Sequence, residues 1–187
     1  MAGEVCIRPA TPADAEELGR LGGELVRLHH GFDERRFIEP RPGVEAGYGR
    51  FLVSMIDAEE AAVFVAEDDS GVVGYVYAEI EPHSWKELRD EAGFLHDVVV
   101  AERGRRRGVG RLLVEAAASW LGVRGVPRVM LSTAARNEAG RAAFEAMGFR
   151  PTMIEMTREI EPRGAPTAEA VVEEARRRDV ARSGRGS

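Results

Sequence analysis

Cysteine is almost missing from this chain. Cys6 is the only one in 187 residues, so no intramolecular disulfide can form, and without a CxxC or Cys/His grouping there is no ligand set for a structural zinc. Stability has to come from a core, which a chain of this length can bury. Long apolar runs are missing too: no stretch approaches eighteen consecutive apolar residues, which excludes a spanning helix. The first twenty residues hold acids together with Pro9 and Pro12, where a secretory signal needs an apolar run. A reducing, cytoplasmic location is therefore expected, with no membrane partner. Lysine is nearly absent as well; Lys86 is the only one, and arginine makes up the rest of the 26 basic residues. The net charge of −6 argues against general affinity for nucleic acid and mildly favours cationic substrates.

What the chain does have is periodicity. Thr11, Pro12 and Asp14 form a helix-start signal: threonine caps, proline suits the first helical position and aspartate favours the positive helix end. Leu18, Leu21, Leu25 and Leu28 then recur at three- and four-residue intervals up to His29. A second, shorter helix is predicted over 46–55. Residues 61–66 and 72–80 are β-branched and aromatic runs separated by a charged turn, and they read as an antiparallel hairpin. Residues 94–100 read as a strand buried on both faces except at His96 and Asp97.

Val109, Leu112, Leu113, Ala116, Ala117, Trp120 and Leu121 follow the helical template over three turns. A strand over 128–133, a helix over 139–147 closed by Gly148, and a final strand over 153–160 complete the pattern. Strand, helix, strand, helix, strand at this spacing gives a mixed α/β fold with a right-handed crossover. Residues 1–161 read as the domain, and 162–187 as an appendage with a short helix and a flexible tail.

Between the 94–100 strand and the strong helix lies Arg105-Arg106-Arg107-Gly108-Val109-Gly110-Arg111. Glycines at a helix start let backbone approach a ligand, and free N–H groups at the positive helix end favour a phosphate. A P-loop needs Lys and then Ser or Thr after its second glycine, where this chain has Arg111 and Leu112. A dinucleotide fingerprint needs a third glycine where Leu113 stands. Contact with nucleic acid through the arginine run stays open, although basic runs are usually solvated faces.

Arg105, Gly108 and Gly110 resemble the pyrophosphate loop of the GNAT superfamily of acyl-CoA-dependent N-acyltransferases. The resemblance extends to the preceding Val98-Val99-Val100 strand, the following amphipathic helix, and Asn137 ahead of the helix ending in Ala146-Met147-Gly148-Phe149. It implies a mainly antiparallel sheet with a splayed central strand pair and flanking helices. It also implies acetyl-CoA as co-substrate, without a metal. The backbone of Val98 and Val100 would hold the thioester and pantetheine arm. The amides from Arg106 through Arg107, Gly108, Val109 and Gly110 to Arg111 would hold the pyrophosphate, with the Arg105, Arg106 and Arg107 side chains assisting, and Asn137 would bond the pantetheine.

The implied reaction is direct attack of a neutral amine on the acetyl carbonyl, which needs a base and an oxyanion donor. The Val98 N–H is the candidate oxyanion donor. His96 is two residues earlier, so strand alternation puts both side chains on one face. Histidine is the side chain that titrates near neutrality, and a histidine stands at the matching position in arylalkylamine acetyltransferases of the superfamily. His96 and Glu79 are thus the catalytic candidates; a hydrogen-bonded core histidine is the structural alternative. Asp97 points to the opposite face as a structural residue bonded to backbone or arginine, and Cys6 reads as a small core residue.

Phe144 stands where many members carry a proton-donating tyrosine, which leaves Tyr77 and Tyr75 as conceivable substitutes. His29, His30, Phe32 and Asp33, followed by His83 and Trp85, are the acceptor-side candidates, as aromatics with carboxylates suit an amine cation. The expected acceptor is a small-molecule or peptide amine, and a homodimer is left open. A non-catalytic acyl-CoA-binding or regulatory module is the alternative.

Overall fold

The structure, a computed structural model, describes residues 4–160. The short helix and tail expected over 162–187 lie outside the described residues. A five-stranded sheet carries β1 (Cys6–Pro9), β2 (Ala61–Asp68), β3 (Gly71–Glu81), β4 (Ala92–Val100) and β5 (Val129–Leu131), side by side in chain order. Every neighbouring pair is antiparallel except β4 and β5, which are parallel. The helices are α1 (Ala15–Phe32), α2 (Val44–Ile56), α3 (Val109–Val123) and α4 (Glu138–Ala146).

The sheet has a core on each face, as a twisted layer covered on both sides requires. On one face Leu18, Leu21 and Leu52 of α1 and α2 pack with Val63, Val65, Tyr75, Tyr77 and Val99. On the other, Val109, Leu113, Ala117 and Leu121 of α3 pack with Val76, Ala78 and Leu95, joined by Phe144, Met147 and Phe149 from α4 and its exit. The leucine stripe of α1 and the apolar stripe of α3 therefore face the sheet as their spacing predicts, except at Leu28 and Leu112, which are exposed.

Helix α1 starts from a short 3-10 turn, Pro12–Asp14, in which Asp14 accepts the Thr11 N–H at 2.8 Å. Arg8 on β1 donates two bonds of 2.8 Å to the same carboxylate and one of 2.7 Å to Glu67 on β2. These bonds hold the Asp14 carboxyl at about 2, below its ordinary 3.8. Helices α1 and α2 approach closely because glycines stand at the crossing. A Cβ on Gly49 would lie 2.4 Å from the Ala15 carbonyl oxygen, and one on Gly22 would lie 2.2 Å from the Tyr48 ring.

Three expectations are corrected. Residues 153–160 form no strand; Ile154, Met156 and Ile160 keep a period of two, but with Met153 they are exposed, and an alternation that buries no side chain gains little from an extended backbone. Cys6 is exposed on edge strand β1 rather than buried. Strand β5 has three residues, shorter than the predicted 128–133, because its pairing with β4 ends early. The compact unit ends at Pro151.

Candidate active site

Strands β4 and β5 pair over Gly93↔Val129, Phe94↔Met130 and Leu95↔Leu131, and then separate. Beyond that point β4 continues along β3 as far as Val100. The direction of its main-chain groups follows from two bonds. The Gly93 N–H points toward β5, to the Arg128 carbonyl, while the Ala101 N–H points toward β3, to the Val73 carbonyl. Residues eight apart in a regular strand point to the same edge, so one extra residue must intervene.

That residue is His96. Tyr77 pairs with Asp97 and the adjacent Ala78 with Leu95, which leaves His96 as a bulge. The slip turns the N–H and C=O of Val98 and Val100 to the open edge. It also breaks the expected alternation, a correction to the sequence reading. Val98 packs in the α3-side core, whereas His96 lies with Tyr77, on Asp97's side of the sheet.

At the end of β4 the chain makes a 3-10 turn, Glu102–Gly104, and enters α3 through Gly108, whose φ of +78° is left-handed. Glycine adopts that conformation without cost, and a Cβ there would meet nothing within 4 Å, so the mouth of α3 is open. The first intrahelical bond runs from the Leu112 N–H to the Gly108 carbonyl, which leaves the amides of Val109, Gly110 and Arg111 for a ligand. Arg106 also has positive φ, +60°. The arginines divide. Arg107 pairs with Asp68 in the β2–β3 turn at 2.6 Å, Arg103 bonds the Val72 carbonyl at 2.7 Å, and Arg105 Nε bonds the Val100 carbonyl at 3.2 Å. These three pin the loop to the sheet, while Arg106 and Arg111 are exposed.

His96 is exposed, and two rings lie against it. Its centroid is 4.9 Å from that of Tyr77, at 25°, and 4.9 Å from that of Phe94, at 35°. Its Nε2 edge faces Glu79 Oε2 at 3.4 Å and Glu81 Oε1 at 3.5 Å. Glu79 accepts the Tyr77 hydroxyl at 2.5 Å, and burial followed by this carboxylate pushes the Tyr77 hydroxyl well above its ordinary value.

Beneath them Asp97 is buried and accepts the Tyr48 hydroxyl at 2.8 Å and the Tyr75 hydroxyl at 2.9 Å. Its partners are tyrosines rather than backbone or arginine. Burial raises its carboxyl, while the two hydroxyls and the nearby His96 and His29 act the other way.

The acceptor-side candidates form two groups. At the end of α1, His29 Nδ1 lies 3.0 Å from the Leu25 carbonyl, and its ring meets those of Phe32 and Phe37. His30 Nδ1 is 3.5 Å from the Phe37 carbonyl, and Asp33 accepts the N–H groups of Arg35 and Arg36. In the β3–β4 loop, His83 pairs with Asp90 at 3.2 Å, and Trp85, 82% exposed, meets the His83 ring. Asn137 caps α4: its Oδ1 accepts the Gly140 N–H at 3.0 Å and its Nδ2 donates to Thr133. Phe144 packs against Phe149.

Comparison with known proteins agrees with this geometry. The profile described as Acetyltransferase (GNAT) family matches residues 28–149. The chain belongs to the GNAT family. An aminoglycoside N(6')-acetyltransferase type 1 of Klebsiella aerogenes is 33% identical over 99 residues, covering 53% of this chain and 65% of that protein. An N-alpha-acetyltransferase of Sulfurisphaera tokodaii is 29% identical over 110 residues, covering 56% of this chain and 65% of that protein. The matches thus span just under two thirds of these relatives. The solved aminoglycoside N-acetyltransferase AAC(6')-Iy, in complex with CoA, superposes with a TM-score of 0.68 at 20% identity, over 87% of this chain and 98% of its own. It shares the fold.

Sequence reasoning missed several residues here. Tyr48 and Glu81 have no place in it, and Tyr75 and Tyr77, which it offers only as conceivable proton donors, instead carry hydroxyls to carboxylates, as Tyr48 does; the spacing of Tyr75, Tyr77, Glu79 and Glu81 along β3 is a period-two stripe that could have signalled a shared face. Arg136, which donates to the Phe32 carbonyl, and Arg89, which pairs with Glu81, have no motif to announce them. No group of His, Cys, Asp and Glu suited to a metal occurs among the described residues, and none of their helices is long and apolar enough to cross a membrane.

Proposed function

We propose that the protein is an N-acetyltransferase that moves an acetyl group from acetyl-CoA to a primary amine of a small molecule or peptide, by direct attack within a ternary complex. The observation that carries this reading is the early end of the β4–β5 pairing, beside a helix mouth whose amides are unspent. The N–H and C=O of Val98 and the N–H of Val100, on the edge away from β3, suit the amide-bearing pantetheine arm, while the Val100 carbonyl is held by Arg105. The amides of Val109 to Arg111, with Arg106, suit a diphosphate.

In the reaction the amine nitrogen bonds the acetyl carbon, the carbon–sulfur bond breaks, and the amine proton passes to His96. The Val98 N–H, aimed at the open edge, is the donor for the oxygen that gains charge. Glu79 and Glu81 make the surroundings of His96 attractive to an incoming ammonium ion before it loses its proton. The thiolate takes its proton from solvent, because a thiol of ordinary pKa is a fair leaving group.

Titration of the protein with CoA by calorimetry, followed by acetylation of a panel of amines, tests the reading. Saturable binding with turnover of at least one amine supports it, and no heat with CoA refutes it. One observation favours a second reading: Phe144 is a ring packed in the α3-side core and carries no proton. Binding of CoA with no turnover of any amine would assign the chain as an acyl-CoA-binding module instead.

A further inference from the structure

The Nε2 edge of His96 faces two carboxylates, and each of those is fixed by a partner of its own. Glu79 Oε2 accepts the Tyr77 hydroxyl at 2.5 Å while lying 3.4 Å from Nε2. Glu81 offers Oε1 to Nε2 at 3.5 Å, while its Oε2 is bound by the Arg89 guanidinium. Arg89 is itself nearly buried and is also held by Glu87 at 2.5 Å and the Pro82 carbonyl at 3.1 Å. The Tyr77 ring stacks on the imidazole and the Phe94 ring lies tilted against it, while His96 itself is exposed.

A neutral imidazole carries one N–H and one lone pair. A lone pair directed at two carboxylates is repelled and an N–H is attracted, so the proton stays on the carboxylate side. The other groups acting on the ring do not reverse this. Asp97, the next residue, is bonded to Tyr48 and Tyr75, and Arg89 is spent on Glu81 and Glu87.

We infer that Glu79 and Glu81 are positioning residues that lock His96 as the Nε2–H tautomer and leave Nδ1 as the nitrogen that accepts the amine proton. The inference rests on His96 being the base of the proposed reaction. Within it, Tyr77 serves Glu79 and Arg89 serves Glu81.

The test has a readout apart from activity. In protein labelled with nitrogen-15 at its four histidines, long-range proton–nitrogen spectra above the histidine titration range report which nitrogen carries the proton. His96 is assigned by the signal lost in His96→Gln. The expected result is Nε2–H for His96, shifting toward a mixture of tautomers in the Glu79→Gln, Glu81→Gln double variant. Turnover in that variant should fall roughly tenfold to a hundredfold with the KM for acetyl-CoA unchanged. A proton on Nδ1 in the unaltered protein, or an unchanged tautomer in the double variant, overturns the inference. If the double variant does not fold, the single variants Glu79→Gln and Glu81→Gln each remove one of the two charges, and an unchanged tautomer in both overturns it equally. Full turnover by His96→Gln would instead remove the base from the proposed function while leaving the spectroscopic result intact.

Discussion

Arg136 Nη1 donates to the Phe32 carbonyl oxygen at 2.7 Å, joining segments 104 residues apart. Phe32 ends α1, where carbonyls lack helical partners, and Arg136 directly precedes Asn137, the cap of α4. The acceptor-side end of α1 is thereby tied to the segment expected to meet the pantetheine. Arg136→Ala should raise the KM for the amine several-fold, equivalent to about 1 kcal/mol for one partly exposed charged hydrogen bond. Steady-state kinetics with the amine varied at saturating acetyl-CoA check this, and unchanged KM would show that the tie has no bearing on the acceptor.

Gly108 should not tolerate a side chain. Its φ of +78° costs a residue with a Cβ about 1–2 kcal/mol, and a valine would also project into the open mouth of α3. Gly108→Val should weaken CoA binding by at least about tenfold, measured by calorimetry, while the melting temperature falls only modestly. Equal affinity would refute the assignment of this loop.

Gly49→Ala should destabilise the fold although alanine is the better helix former. The added methyl would sit 2.4 Å from the Ala15 carbonyl oxygen, so α1 and α2 must move apart. Overpacking of this kind costs about 1–3 kcal/mol. Thermal denaturation should show a drop of several degrees; a rise would mean that the helix crossing yields freely.

Tyr48→Phe removes one of the two hydroxyls that satisfy the buried Asp97 carboxylate. The expected loss is about 1.5–3 kcal/mol, as for a hydrogen bond to a charged group. Urea denaturation at neutral pH measures it, and an unchanged midpoint would mean that Tyr75 suffices.

Asp14 should contribute to acid sensitivity. Arg8 holds its carboxyl at about 2, against an ordinary 3.8. A folded value below the unfolded one gives stability that is fully present above pH 3.8 and is lost as the pH falls toward 2. Asp14→Asn should lower stability at neutral pH and flatten the stability profile between those limits. An unaltered profile would show that the Arg8 contact is idle.

Helices and central strands were legible from periodicity because the stripes of α1 and α3 are long and cover several turns. The cofactor loop was legible because a glycine pair at a helix entrance is a local signal. Carboxylate partners were not, since Tyr48 and Asp97 are 49 residues apart and meet only once α2 lies on the sheet. Nor was the placement of His96. Period-two reasoning assigns it to Val98's face, and the insertion that defeats this shows only in the pairing of Tyr77 and Ala78. Residues 153–160 carry a strand-like period of two at Ile154, Met156 and Ile160 and yet form no strand, because periodicity alone does not bury a face.

The bulge at His96 divides β4 into two halves that are out of phase. Shortening the strand by that single residue would bring them back into step while leaving Val98 and Val100 with their amides on the edge away from β3 and their side chains toward α3. The proposed base would vanish in that deletion and the berth beside it would survive. The inserted residue therefore supplies the reagent alone, and a change of length at this point separates the two.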